Sequence, residues 1–232
     1  FEASKCLTIA GVDIYHPTQD YLTGTEISFG GDMTRSLKND NYLVLETEAQ
    51  GFEDWVPYDG QLRLQAFSHI ASGANSVMYW HWHSIHNSFE TYWKGLLSHD
   101  LKENPTYNEA KIIGDEFKRF GDKLVNLKKK NDVAILVSNE ALTAIEWFSM
   151  TLDFKYNDVV RWAYDELYKM NVGCDFISPD SKDLEKYKLI VVPALYSATE
   201  ELLHRLNSYV KNGGHLVVSF KSAFTNEYVK VS

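Results

Sequence analysis

The sequence predicts an α/β fold built on parallel sheets and divided into two modules. Three observations carry that expectation. Compact apolar runs of four or five residues alternate with longer segments of helical period. Gly, Asn or Pro closes several of them, and the triple lysine Lys128-Lys129-Lys130 separates two blocks with the same alternation. Strands that are apolar throughout suit a parallel sheet covered by helices, and strand–helix alternation is how such sheets are connected.

In the first block, residues 12–15 (Val-Asp-Ile-Tyr) form a short strand that ends at His16-Pro17, and residues 27–37 read as a helix with glycines near its start. Residues 42–45 (Tyr-Leu-Val-Leu) suit a strand covered on both faces. Residues 61–70 place Leu62, Ala66 and Ile70 at helical spacing, with Gly73 as the stop. Residues 76–80 are a further strand, and 107–127 a long amphipathic helix with Ile112, Phe117 and Phe120 among its apolar positions. Polar and aromatic residues gather just after the strands, at His16, Glu46, Glu48, His81 and His83. That is where α/β sheets and β/α barrels place their chemistry. Three such units are too few to close an eight-stranded barrel, so more strands are expected upstream of Phe1; the lack of an initiating Met also suggests a fragment.

In the second block the lysine run reads as a solvated linker, followed by strands at 133–137, 174–177, 189–192 and 215–219. Helices at 157–170, with Val160, Ala163 and Leu167 on one face, and at 199–210 lie between them; Gly173 and Asn212-Gly213-Gly214 are their stops. This is an open doubly wound α/β domain of flavodoxin or glutamine-amidotransferase appearance.

Composition excludes several classes. The 232 residues carry a formal charge of −9, against the basic stripe that nucleic acid requires, so no nucleic-acid partner is expected. No apolar run approaches the roughly 20 residues that span a bilayer, so no membrane partner is expected, and the first residues lack the basic and apolar regions of a signal peptide. Cys6 and Cys174 lie far apart and outside any C-x-x-C pair, which fits a reducing cytoplasm and gives no zinc motif. No cofactor is expected. Aromatics make up 14% of the chain, with Trp and Tyr dense between Tyr42 and Trp93, and flat rings suit the apolar faces of sugars.

Two constellations can carry chemistry. Val44-Leu45-Glu46-Thr47-Glu48 puts two carboxylates at a strand end, where residues two apart share a face. They are either a catalytic pair or loop glutamates balanced by cations, and spacing alone does not choose between Glu46 and Glu48. Trp55 nearby favours a sugar site. Tyr79-Trp80-His81-Trp82-His83-Ser84-Ile85-His86 precedes Phe89-Glu90-Thr91-Tyr92-Trp93. Three histidines invite a metal reading, but no H-E-x-x-H is present, and a polar, aromatic pocket rim suits them better.

Taken together, these residues resemble glycoside hydrolase family 42, whose members are (β/α)8 TIM barrels. Residues 12–17 are similar to the family's sixth-strand motif, 42–55 to its seventh-strand Glu and following Trp, and 79–83 to its eighth-strand aromatic pair and basic-Trp-basic run. The resemblance covers nearly the whole chain, because in that family an amidotransferase-like domain used in trimerisation follows the barrel. It implies a retaining β-galactosidase with Glu46 as nucleophile and Glu48 as its rival. Trp55, Trp80, Glu90 and Trp93 would bind a galactoside substrate. Trp93 stands where many members have His, and Ala49-Gln50-Gly51 replaces part of a Pro-Gly turn.

The resemblance also implies that residues 1–127 are the last part of the barrel. Residues 128–232 would be the trimerisation domain, incomplete at its C-terminus, and the assembly a homotrimer. A retaining glycosidase needs two carboxyl groups about 5–5.5 Å apart. The Asn-Glu pair that supplies the family's acid/base would lie upstream, so the 232 residues alone are expected to be inactive. Two other readings compete. A Cys-dependent amide transfer would need Cys174 on a strand-to-helix elbow, whereas it begins a strand after a helix-ending Gly. A purely non-catalytic oligomerisation module is the other alternative.

Overall fold

The structure is a computed structural model describing residues 1–15, 24–51, 56–149 and 155–231. It divides into two compact units, Phe1–Lys129 and Lys130–Ser232.

Unit 1 is a three-stranded parallel sheet in the order β1 (Gly11–Asp13), β2 (Tyr42–Glu48), β3 (Ala74–Trp80). Helices α1 (Thr25–Lys38), α2 (Gln61–Ala71) and α3 (Pro105–Leu124) connect and cover it. Tyr42 and Val44 pack with Ala10, Ile14 and Ala74 in one apolar cluster. In this chain Leu45, on the opposite face of β2, is exposed. Alternation along the strand divides its apolar residues between two faces, and only one of them meets helices. Leu45 instead lies over Gly11, where a Cβ would come within 2.7 Å of its Cδ1.

Helix α3 starts where Asn104 accepts from the Tyr107 amide at 3.0 Å and Pro105 occupies the first turn. Its inner stripe is Thr106, Ala110, Ile113 and Phe117, spaced by four, three and four, against Leu62 and Ala66 of α2. Ile112, expected among the packed positions, is exposed. Two adjacent isoleucines point about 100° apart on a helix, and the stripe selects the second.

The lysine run lies at the boundary between the units, with Lys128 and Lys130 exposed, and two of its members also make specific pairs within unit 1. Lys128 pairs with Asp40 and donates to Asn41 Oδ1 at 2.6 Å, while Lys129 Nζ lies 2.7 Å from Asp32 Oδ1. Asp32 is buried and shares that oxygen with Arg35 Nη2 at 3.2 Å. A carboxylate withdrawn from water needs such partners, and leaving one uncompensated costs about 3–5 kcal/mol.

Unit 2 is a four-stranded parallel sheet in the order β5-β4-β6-β7: β4 Val133–Leu136, β5 Cys174–Ile177, β6 Leu189–Val192 and β7 His215–Val218. The doubly wound expectation holds. The chain steps from β4 to β5 on one side, then returns to place β6 on the other. Helices α5 (Tyr156–Lys169) and α6 (Glu200–Lys211) match the expected ones, and Thr199 caps α6 by accepting from the Leu202 amide at 3.1 Å. A further helix, α4 (Asn139–Trp147), falls where none is expected. Its signals are short: Ser138 accepts from the Ala141 amide, and Ala141, Ala144 and Ile145 are buried at spacings of three and one.

Burial holds the phenols of Tyr42, Tyr79 and Tyr156 above their ordinary value of 10, and that of Tyr156 is pushed up to about 12. Between the ordinary and the folded values the folded chain therefore binds more protons than the unfolded one. The resulting stability is complete below pH 10 and is lost as pH rises through the folded values. Urea unfolding at stepped alkaline pH should show the midpoint falling above pH 10, with phenolate absorbance from these residues appearing only as the chain opens.

Candidate active site

Parallel pairing brings the carboxyl ends of β1, β2 and β3 to one edge of the unit 1 sheet. Asp13 lies opposite Glu46, and Glu48 opposite Trp80. The Ile14 amide donates to the Glu46 carbonyl at 2.9 Å, which carries the β1–β2 tie past the end of β1. One residue on, the Tyr15 hydroxyl donates to Glu46 Oε2 at 3.1 Å.

Glu46 and Glu48 sit in different surroundings. Glu46 is half-buried, whereas Glu48 is 3% exposed and accepts from Thr47 Oγ1 at 3.2 Å. A register shift between Val44 and Thr47 interrupts simple alternation, so that Thr47 and Glu48, although adjacent, are both buried. The expected sharing of one open face is therefore not seen.

At the end of β3 the half-buried Trp80 donates from Nε1 to Glu90 Oε2 at 3.1 Å, and its carbonyl accepts from Trp93 Nε1 at 3.3 Å. The Trp93 ring meets Tyr15 edge-on, with centroids 5.6 Å apart. Glu46, Tyr15, Trp93, Trp80 and Glu90 thus form one unbroken series of contacts. Four of the six sequence-proposed residues, Glu46, Trp80, Glu90 and Trp93, are members of it. Glu48 is not one of its links, although its charge acts on Tyr15, and Trp55 lies outside the described residues, as do His16 and Pro17.

The Trp80–His81 peptide is cis. Beyond it, imidazoles continue from ring to ring: His81 to His83 at 5.2 Å, His83 to His86 at 5.8 Å, and His86 to His99 at 5.5 Å. Burial and the neighbouring His83 hold His81 below the usual imidazole range, opposed by Glu90. Among the described residues no group of three His, Cys, Asp or Glu side chains is gathered to hold a metal ion.

The segment carrying Glu90 and Trp93 is stitched to both strand ends. The Leu96 amide donates to the His81 carbonyl at 2.8 Å, and Gln50 Nε2 to the Gly95 carbonyl at 2.7 Å. The Gly95 amide donates to Ser84 Oγ at 3.1 Å. A Cβ at Gly95 would sit 2.6 Å from the His81 carbonyl oxygen and 2.5 Å from the His83 carbonyl carbon, so only glycine permits this approach.

Residues 1–120 match the family model described as beta-galactosidase, and residues 131–232 match the model described as beta-galactosidase trimerisation domain. The chain belongs to glycoside hydrolase family 42.

Among relatives in sequence, the beta-galactosidase BgaB of Geobacillus sp. (strain Y412MC61) is 34% identical over 207 residues, covering 86% of this chain and 30% of BgaB. Among solved structures, a beta-galactosidase from Bacillus circulans sp. alkalophilus superposes with a TM-score of 0.89 at 26% identity, covering 99% of this chain and 35% of that one. Gan42B, a GH42 beta-galactosidase from G. stearothermophilus, gives 0.90 at 24% identity, covering 100% of this chain and 35% of Gan42B, a likeness of fold. The chain spans about a third of the length of the relatives it matches. Its fold is that of the last part of a family 42 (β/α)8 barrel followed by an open doubly wound α/β domain.

Sequence reasoning missed Tyr15, Gln50 and Gly95 as members of this candidate site. For Tyr15 a signal was present: it lies two residues after Asp13, at the carboxyl end of the strand, where chemistry gathers in parallel sheets. For Gln50 and Gly95 no local signal exists, because their roles arise from backbone groups about 45 and 14 residues away in the chain. Replacing Gly95 by Ala should lower stability by about 1–3 kcal/mol, since the crowding atoms are main chain and cannot swing aside. Urea unfolding followed by tryptophan fluorescence checks this, and the native-state emission should shift as Trp80 and Trp93 are displaced.

Proposed function

We propose that this chain carries the nucleophile side of a retaining β-galactosidase site, with Glu46 as the nucleophile. The observation that carries the reading is the Tyr15–Glu46 hydrogen bond at the open end of β2, beside the Trp93–Trp80–Glu90 series. Family membership supplies the reaction class. Galactoside is the substrate, as in the beta-galactosidases to which the chain is similar.

A retaining glycosidase uses one carboxylate to attack the anomeric carbon and a second carboxyl group to protonate the departing oxygen, then to activate water. Glu46 must therefore be ionised and oriented. Tyr15 serves both needs. Burial first, and then the Glu46 charge, hold its phenol well above 10, so it stays a donor throughout the neutral range. By engaging Oε2 it fixes the carboxylate's rotation and leaves attack to Oε1. Glu48, buried and bonded to Thr47, lacks the same access. Trp80 and Trp93 offer indole surface to the sugar, and Glu90, oriented by the Trp80 N–H, accepts from its hydroxyls. Trp55 belongs to the same proposed subsite by resemblance.

The family's acid/base Asn-Glu pair belongs at a barrel strand end, and none of this chain's Asn-Glu pairs stands at one in unit 1: Asn108-Glu109 lies within α3, and Asn139-Glu140 and Asn226-Glu227 belong to unit 2. The 232-residue polypeptide alone should therefore leave chromogenic β-D-galactosides intact. In a full-length protein containing it, Glu46→Gln should lower turnover by several orders of magnitude. Glu46→Ala should be rescued by azide, giving a galactosyl azide of inverted configuration. A Glu46→Gln protein that still turns over would transfer the role to Glu48 or remove the family mechanism.

We further propose that residues 128–232 act as a trimerisation domain and residues 1–127 as the barrel's last part. The support is the trimerisation-domain model that matches residues 131–232. Sedimentation equilibrium of the chain should give a discrete trimer; a monomer, or an open series of aggregates, would overturn the assignment.

A further inference from the structure

Unit 2 carries a crevice that the chemistry proposed for Glu46 does not use. In the order β5-β4-β6-β7 the connections leave β4 and β6 towards opposite sides of the sheet. Loops diverge at such a switch point, and in open α/β domains ligands bind beyond the carboxyl ends of the strands there. A cleft of about 440 Å³ lies at this point. That volume is within the range that holds small molecules, roughly 300–1,000 Å³.

Its walls come from the segments that follow three strands. After β4 come Asn139 and Glu140 at the start of α4, then Trp147 and Phe148 at its end; after β6 comes Ser197, and after β7 Glu227. These walls are fixed by hydrogen bonds of their own. Ser197 Oγ donates to the Asn226 carbonyl at 2.7 Å, and the Ala198 amide to the Thr225 carbonyl at 3.0 Å. Asn226 Oδ1 accepts from the Tyr228 and Lys230 amides at 3.0 and 3.1 Å, closing the turn that presents Glu227.

The lining has a defined chemistry. Trp147 is 82% exposed, a large apolar ring left in water at the edge of a cleft. Phe148, next to it in the lining, stacks on Tyr196, which stacks on Phe224 behind the lining, with interplanar angles of 12° and 14°. Around these rings stand the carboxylates of Glu140 and Glu227, the Asn139 amide and the Ser197 hydroxyl. An exposed indole bordered by acceptors fits a molecule with one C–H face and a girdle of hydroxyl donors. The two carboxylates repel anions such as phosphates. Lys221 Nζ lies 5.7 Å from the Tyr196 and Phe224 centroids, a positive charge on the rings behind Phe148.

We infer that the switch-point crevice of unit 2 is a second carbohydrate-binding site, for a neutral saccharide stacked on Trp147 with its hydroxyls on Glu140 and Glu227. It is distinct from the Glu46 site and does not depend on the role assigned there.

The test is a titration of the full chain, ¹⁵N-labelled at tryptophan, in a Glu46→Gln background. The probes are methyl β-D-galactoside, lactose, D-galacturonate and choline. The Trp147 indole resonance, identified by Trp147→Phe, should move saturably with the two neutral sugars. Trp147→Ala should weaken binding at this site by roughly tenfold or more, about 1.4 kcal/mol. Its side chain stands in solvent, so the fold should persist, and Trp147→Phe should retain part of the affinity. Galacturonate should bind less tightly than the neutral sugars, and Glu227→Gln should narrow that difference. A Trp147 resonance unmoved by sugar overturns the inference. So does one that follows protein concentration, which would mean that a second copy covers the crevice, or one that saturates with choline in preference to sugar. Because Trp80 and Trp93 report separately, failure at Trp147 leaves the Glu46 assignment standing, and failure of the azide rescue leaves the crevice standing.

Discussion

Parallel pairing of β2 with β1 on one side and β3 on the other is the constraint from which unit 1 follows. Parallel strands end on the same edge, so Asp13, Glu46 and Trp80 arrive together although they lie more than 30 residues apart in sequence. Antiparallel pairing would send alternate ends to opposite edges and scatter the same residues. Each parallel return requires a crossover, which the helices supply. The apolar faces of those helices bury one side of the sheet, and the polar residues are left at its rim.

That rim is held by main-chain contacts more than by side-chain bulk. Ile14 ties to Glu46, Leu96 to His81, and Gly95 enters a gap too narrow for any side chain. The side chains of the site hang from this frame in sequence: Tyr15 on Glu46, Trp93 on Tyr15 and Trp80, and Glu90 on Trp80. Loss of one backbone contact is therefore felt at several side chains, which is how a precise site can rest on a loop.

Much of the fold was legible because its signals are local. Apolar runs marked six of the seven strands to within a residue or two, and caps and glycines marked most helix ends. The doubly wound character of unit 2 followed from alternation, while its strand order came only from the pairing. What escaped was non-local or short. Helix α4 has nine residues and few packed positions, so its period barely repeats. The exposure of Ile112 beside the buried Ile113 depends on which helix face is packed, which a pair of apolar letters does not encode. For the candidate site, Glu46, Trp80, Glu90 and Trp93 were singled out by their residue types and the motif around them. Glu46 and Glu48 could not be separated by spacing, because the register shift that separates them is a property of strand pairing.

The three lysines illustrate a difference between where a chain changes character and where a folding unit ends. By composition, a cut before Lys128 divides the two modules cleanly. By interaction it does not, because Lys128 and Lys129 serve Asp40, Asn41 and Asp32 of α1 and the residues after it. A first module trimmed at residue 127 would keep every strand and helix of unit 1, yet leave the buried Asp32 with one cation fewer. Whoever dissects this protein into autonomous pieces must let the first piece keep the lysines.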